Sequence, residues 1–169
     1  MTPAELLIDA FDRVREGALA AVDGLTEDQL AHRIAPDANS IAWLVWHTYR
    51  VQDDHVADAA GLQQVWAARG FIEHFDLDLD EDDTGFRHTP AQVATVRAPA
   101  DLLARYAQEV HAQTLAWVGG LTEADLDRVV DTAWDPPVTL GVRLVSVVND
   151  DTQHIGQAAY LRGLIDGSA

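Results

Sequence analysis

Leu140, Leu144, Val147, Asp151, His154, Ala158, Leu161 and Ile165 follow one another at alternating intervals of four and three residues. An α-helix brings such positions onto one face. A stripe kept this long must be covered by other helices, which is the situation inside a bundle. Two members of the stripe, Asp151 and His154, are polar, so this helix carries chemistry into a core.

Three further long helices can be read from the same periodicity. Thr2-Pro3-Ala4-Glu5 is a capped start with proline in the first turn. Leu7, Phe11, Val14, Ala18, Val22 and Leu25 then mark one apolar face up to Gly24. A second helix is capped by Asn39 or Ser40, runs through Ile41, Leu44, Thr48, Val51 and His55, and closes at Gly61. The third extends from Pro99 to Gly119-Gly120 through Leu103, Tyr106, Val110 and Trp117. The fourth follows Pro136-Pro137, with Thr139 as its cap. No segment reads as a strand: Val129-Val130 and Val138 are too short and too close to proline. Residues 62–98 form the longest irregular stretch, with one short helix after Thr89-Pro90.

Gly24-Leu25-Thr26-Glu27-Asp28-Gln29-Leu30 has an echo in Gly120-Leu121-Thr122-Glu123-Ala124-Asp125-Leu126. Each copy follows a long helix and precedes a proline-bearing loop and another long helix. The expectation is an all-α four-helix bundle of two pseudo-twofold helix pairs. A long connection joins the second and third long helices. The 169 residues suit a single domain.

Charge and composition remove several functions. The net charge of −17 argues against nucleic acid and anionic membrane surfaces. No run approaches the ~20 apolar residues of a membrane span, and the first 25 residues lack the basic start and apolar centre of a signal peptide. A cytoplasmic protein is expected, as a monomer or a homodimer. The chain has no cysteine, which excludes disulfides, thiolate ligands and a cysteine nucleophile. The acidic run Asp76–Asp83 is not a calcium loop: Glu81 stands where the sixth-position glycine belongs, and Arg87 where the twelfth-position glutamate belongs.

The second and fourth helices hold the best candidate chemistry. Helical geometry turns His47 toward the core. Asp150 precedes His154 by one turn, and side chains four apart share a face; Asp151 is also within reach. A lone charged carboxylate inside a bundle is costly, so Asp150 or Asp151 beside His154 calls for a cation. Two imidazoles and one carboxylate would make a three-ligand site with an open position, suited to zinc, Fe(II) or nickel; from spacing alone, a solvated or hydrogen-bonded Asp-x-x-x-His pair is the other reading.

The segment Ser40–His55 (SIAWLVWHTYRVQDDH), together with Asp150-Asp-Thr-Gln-His154-Ile-Gly156-Gln157, both Gly-Leu-Thr-Glu segments and Trp134-Asp-Pro-Pro-Val138, resembles the DinB/YfiT-like superfamily. Within it the chain is most similar to the actinobacterial branch of mycothiol-dependent maleylpyruvate isomerase metal-binding domains and mycothiol S-transferases. The resemblance spans nearly the whole chain. It implies a DinB-like four-helix bundle holding one divalent metal, commonly zinc, sometimes nickel, with His47, Asp150 and His154 as ligands. The middle position in that family is usually histidine or glutamate. Aspartate is one methylene shorter, so Asp151 or a bridging water is an alternative. Mycothiol as co-substrate, S-transfer to an electrophilic small molecule and thiol-assisted isomerisation are likewise implied. A metal-dependent hydrolase and a non-catalytic metal-binding stress protein remain as alternatives.

Around this set, His55 is a candidate ligand-orienting residue or a hydrogen-bonded core histidine. Arg50, Asp53 and Asp54 read as a polar cluster, with surface pairing the favoured interpretation. Arg143, Gln157, Trp46 and Arg50 are candidates for the substrate pocket. His111 reads as packing. His32, His74 and His88 show no pattern.

Overall fold

In the computed structural model, which describes residues 1–167, four long helices form the expected bundle: α1 (Pro3–Val22), α3 (Ile41–Ala60), α7 (Ala100–Val118) and α8 (Leu140–Asp166). Between them lie α2 (Glu27–Leu30), α4 (Val65–Ala68), α5 (Phe71–Phe75), α6 (Pro90–Thr95) and a 3-10 helix (Glu123–Asp127). The helix starts follow local chemistry. The Thr2 side chain accepts from the Glu5 amide, and the Glu5 carboxylate accepts from the Thr2 amide. Ser40 accepts from the Trp43 amide, and Thr139 from that of Val142. Both copies of the echoed segment build a capping box, Thr26 with Gln29 and Thr122 with Asp125. The first copy opens α2 and the second opens the 3-10 helix.

Each of α1 and α3 packs against both α7 and α8. The α8 stripe is buried at Leu140, Leu144, Val147, Asp151, Ala158 and Leu161; Phe11 clusters with Leu140, Leu144 and Val147, and Ala158 and Leu161 join the core cluster that holds Trp46, Tyr49, Leu103 and Tyr106. Each large apolar side chain so buried contributes roughly 1.5–3 kcal/mol. The α1–α8 contact is tight: a Cβ on Gly17 would stand 2.6 Å from Ile155 Cγ2, so glycine sets how closely these helices approach.

Two expectations need correction. Val129–Asp131 (β1) and Val138–Thr139 (β2) do pair, antiparallel and with an irregular register, Val129 facing Thr139 and Asp131 facing Val138. Proline confines this ribbon to its few residues. The stretch 62–98 also contains α4 and α5 besides the expected helix after Thr89. Trp66, Phe71 and Phe75 on these two helices pack with Tyr106 of α7, and this tertiary burial supports helices too short to persist alone. Among the described residues no helix is long and apolar enough to cross a membrane.

Candidate metal centre

α3 delivers His47 and α8 delivers Asp150 and His154 to one point between the helices. One ligand atom from each lies within 4.8 Å of the others. Two atoms bound to one ion at ~2.1 Å are at most ~4.2 Å apart, so side-chain adjustments below an ångström would join all three. The imidazoles of His47 and His154 meet edge to face with centroids 4.7 Å apart. Trp43, one turn before His47, stacks on it at 4.5 Å and meets His154 edge-on at 6.0 Å.

The long connection orients His47. Its Nδ1 lies 2.5 Å from the Thr84 carbonyl. A carbonyl only accepts, so Nδ1 carries the proton and Nε2 keeps its lone pair, the tautomer a metal ligand needs. Burial pushes the His47 pKa below the ordinary histidine value, with the Thr84 contact opposing; the ring is neutral at neutral pH. The strap that supplies Thr84 is itself tied down. Asp83 accepts from the Gly85 amide at 2.7 Å and pairs with His88 Nε2 at 2.9 Å, and His88 Nδ1 accepts from Trp43 Nε1 at 3.0 Å. Gly85 has φ +90°, and a Cβ there would lie 2.8 Å from His47 Nδ1. Glycine is needed on both counts.

Asp150 Oδ1 is 3.6 Å from His154 Nε2, and this neighbour holds the carboxyl below the usual carboxylate range. Asp150 Oδ2 and His154 Nδ1 are buried without a hydrogen-bond partner. Orphaned polar atoms of this kind are rare and call for an explanation. Nitrogen and carboxylate donors facing one another match the chemistry of a divalent ion. The residues therefore fit the metal.

Asp151 is not part of this group. It is fully buried, both its oxygens lack partners, and burial followed by the Asp150 charge drives its carboxyl well above the usual range. His55 is also outside. It borders the cavity beside the metal site, with Nδ1 3.3 Å from Arg143 Nη1 and 3.6 Å from Asp54 Oδ2.

That cavity, about 450 Å³, is walled by Val51, Val147, Phe86 and Trp134, with His47, Asp150, Thr84, Asp54 and His55 supplying its polar atoms. Trp46 and Arg50, considered for the pocket, are instead buried in the core, and Gln157 is exposed on α8 away from the cavity lining. Arg143 lines a neighbouring cavity. The surface pairing favoured for Arg50 and Asp53 gives way to full burial. Sequence periodicity passed over Thr84, Asp83, Gly85 and His88. The turn-forming Asp-Thr-Gly triplet and the histidine five residues after Asp83 were the only signals. Phe86 gave none.

The mycothiol-S-transferase family pattern matches residues 6–167. The chain belongs to the mycothiol-S-transferase family. It therefore sits in the DinB/YfiT-like group, and the bundle is the DinB-like fold. Among solved structures, a conserved protein from Enterococcus faecalis is 33% identical, with a TM-score of 0.91 and 99% of each chain covered. No curated protein sequence matches. The family uses mycothiol and a divalent metal, and His47, Asp150 and His154 form the candidate site for that metal.

Proposed function

We propose that this chain is a metal-dependent mycothiol S-transferase, joining the sulfur of mycothiol to an electrophilic carbon of a small molecule. The supporting observation is the convergence of His47, Asp150 and His154, two of them with orphaned buried atoms, beside an apolar-walled cavity in a chain of this family. Those three residues would hold the ion: zinc suits the donor set, and nickel or iron fit it as well. A bound ion of this kind lowers the pKa of a thiol from ~8.5, so that thiolate prevails at neutral pH.

The protein's own residues do the rest. His47 presents an unprotonated Nε2 because Thr84 takes up its Nδ1 proton. Asp150 contributes a charge that persists through neutral pH. Three protein donors leave a position for the thiol. Val51, Val147, Phe86 and Trp134 line the adjoining space and would give the electrophile an apolar seat. No side-chain base would be required, because a thiol acidified at the site gives its proton to solvent water.

The test is an assay of purified metal-loaded protein with mycothiol and a maleimide, run beside ester and amide substrates. The reading expects mycothiol consumption above the uncatalysed rate, abolished by a chelator. Hydrolysis without thiol consumption would instead mean a metal-dependent hydrolase. Metal binding with no turnover of either kind would mean a non-catalytic metal-binding protein.

A further inference from the structure

We propose that His55 is the hydrogen-bond donor that receives the carbonyl oxygen of the electrophile, so that the preferred electrophiles are small alkenes conjugated to a carbonyl. This deepens the S-transferase reading and rests on it for the attacking sulfur.

The two ring nitrogens of His55 are settled by what they face. Nδ1 lies 3.3 Å from Arg143 Nη1. A guanidinium only donates, so Nδ1 accepts. The Asp54 oxygen, 3.6 Å from Nδ1, is too far to draw a proton onto it. In a neutral ring whose Nδ1 accepts, the hydrogen sits on Nε2. Burial first, then Arg143, lower the His55 pKa against the pull of Asp54, Asp150 and Asp58, so the ring is neutral at neutral pH. Its Nε2–H has no partner among the described residues. The ring is also held in place. Arg143 Nη2 donates to Asp131 Oδ2 at 2.7 Å, and Asp131 Oδ1 accepts from the Ala133 amide at 2.8 Å.

The other groups lining this cavity offer no equivalent donor. Ser146 gives its hydroxyl hydrogen to the Val142 carbonyl, and His47 Nδ1 serves the Thr84 carbonyl. The Trp134 indole N–H serves the Asp131 carboxylate. Asp54 and Asp150, as carboxylates, only accept. The Thr84 hydroxyl is a free rotor at the His47 end. His55 stands at the other end, eight residues or about 12 Å along α3 from His47, with Val51 and Val147 lining the same cavity. A small molecule in about 450 Å³ can set its reactive carbon toward the three ligands and its oxygen at His55.

The chemistry uses that placement. The thiolate sulfur bonds to the alkene carbon remote from the carbonyl. The alkene π pair moves toward the carbonyl, and its oxygen takes up the negative charge of an enolate. The carbon next to the carbonyl then takes a proton from water, so thiol and alkene add without a leaving group or a redox change. A positioned neutral imidazole N–H bonds that oxygen more strongly as its charge develops. An electrophile without a carbonyl gains nothing from it.

The experiment uses the zinc-loaded full chain with mycothiol and compares cyclohex-2-enone with benzyl chloride, each rate divided by its uncatalysed value. In His55→Leu the enone-to-benzyl chloride ratio should fall about tenfold or more, with zinc content unchanged. His55→Gln, whose amide restores an N–H donor, should return the ratio to within about threefold of the wild type. An unchanged ratio in His55→Leu overturns the proposal, as does a wild type that accelerates benzyl chloride but not the enone; the S-transferase reading stands in both cases. Two readouts need no turnover. Nitrogen-15 NMR of the ring should place the hydrogen on Nε2, and a hydrogen on Nδ1 overturns the proposal. The carbonyl stretch of bound cyclohexanone, which is unreactive, should lie at lower frequency in the wild type than in His55→Leu. No difference, or no binding, overturns the proposal. If the wild type accelerates neither electrophile but this difference appears, the S-transferase reading fails and the carbonyl site stands.

Discussion

Two polar clusters on α3 stand one turn apart and are treated in opposite ways. Asp53 is fully buried and fully answered: it accepts from the Val65 amide at 2.9 Å, the Trp66 amide at 2.8 Å and the Tyr106 hydroxyl at 3.1 Å, with Arg50 at 3.8 Å. Arg50 in turn reaches the Asp83 carbonyl and Gln64 and lies over the Trp66 ring. Burial pushes the Asp53 carboxyl up, and these partners pull against it. The cluster ties α4, the long connection and α7 to α3. At His47 the opposite holds. Its partners across the helix gap, Asp150 and His154, carry buried atoms that nothing in the chain satisfies. The answered oxygens of Asp53 brace the fold, with Arg50 Nη2 left without a partner there, whereas converging, unsatisfied atoms beside a cavity mark a place for something else. The strap joins the two regions: Asp83 supports Arg50 through its carbonyl, and the next residue, Thr84, supports His47.

The largest expected effect breaks the braced cluster. Asp53→Ala strands two amides and leaves Arg50 buried beside no carboxylate, at a cost of about 3–5 kcal/mol. Urea unfolding should show that loss with metal stoichiometry unchanged in the folded fraction. Next comes the unsatisfied cluster. His154→Ala should weaken metal affinity about a hundredfold, or about 2.7 kcal/mol, while the metal-free protein keeps its unfolding midpoint. A large stability loss there would make His154 a brace like Asp53. Gly85→Ala should cost roughly tenfold in metal affinity, the scale seen when a group orienting a ligand is disturbed, because its Cβ would press on His47. Unchanged affinity would show that the strap does not position the imidazole.

The smallest effect concerns pH. Burial lowers the pKa of His111, which pairs with Asp12 at 3.0 Å on the far side of the bundle. A folded pKa below the unfolded one means that the unfolded chain binds protons first on acidification. The histidine's contribution is present above the ordinary value of ~6.5 and is lost as pH falls below it. Asp53 and Asp151, with raised pKa values, act in the opposite sense, so the comparison must be with a variant. His111→Gln should lose less stability than the metal-free wild type between pH 7 and 5. Parallel losses would assign the pH dependence elsewhere.

The four long helices were legible because their apolar residues recur with helical period and their ends carry caps. His154 was legible because it breaks an apolar stripe, and His47 because helical geometry turns it toward the core; the family resemblance joined Asp150 to them. What the sequence hid was everything that depends on chain folding back across the bundle. Arg50 and Asp53 look like a solvated pair until α4 closes over them. Thr84 acts through a backbone carbonyl, which no residue type announces. His88 and Phe86 lie in a segment without periodicity, where position comes from docking alone.

The central claim is that His47, Asp150 and His154, the last two with buried unpartnered atoms, hold one ion. The direct measurement is equilibrium titration of the chelator-stripped protein with Zn²⁺, read by calorimetry with elemental analysis of the product. The account predicts a saturable site holding about one ion per chain, with affinity about a hundredfold weaker in the His47→Ala and His154→Ala proteins. A wild type that takes up no ion, or variants that bind as well as the wild type, would contradict it.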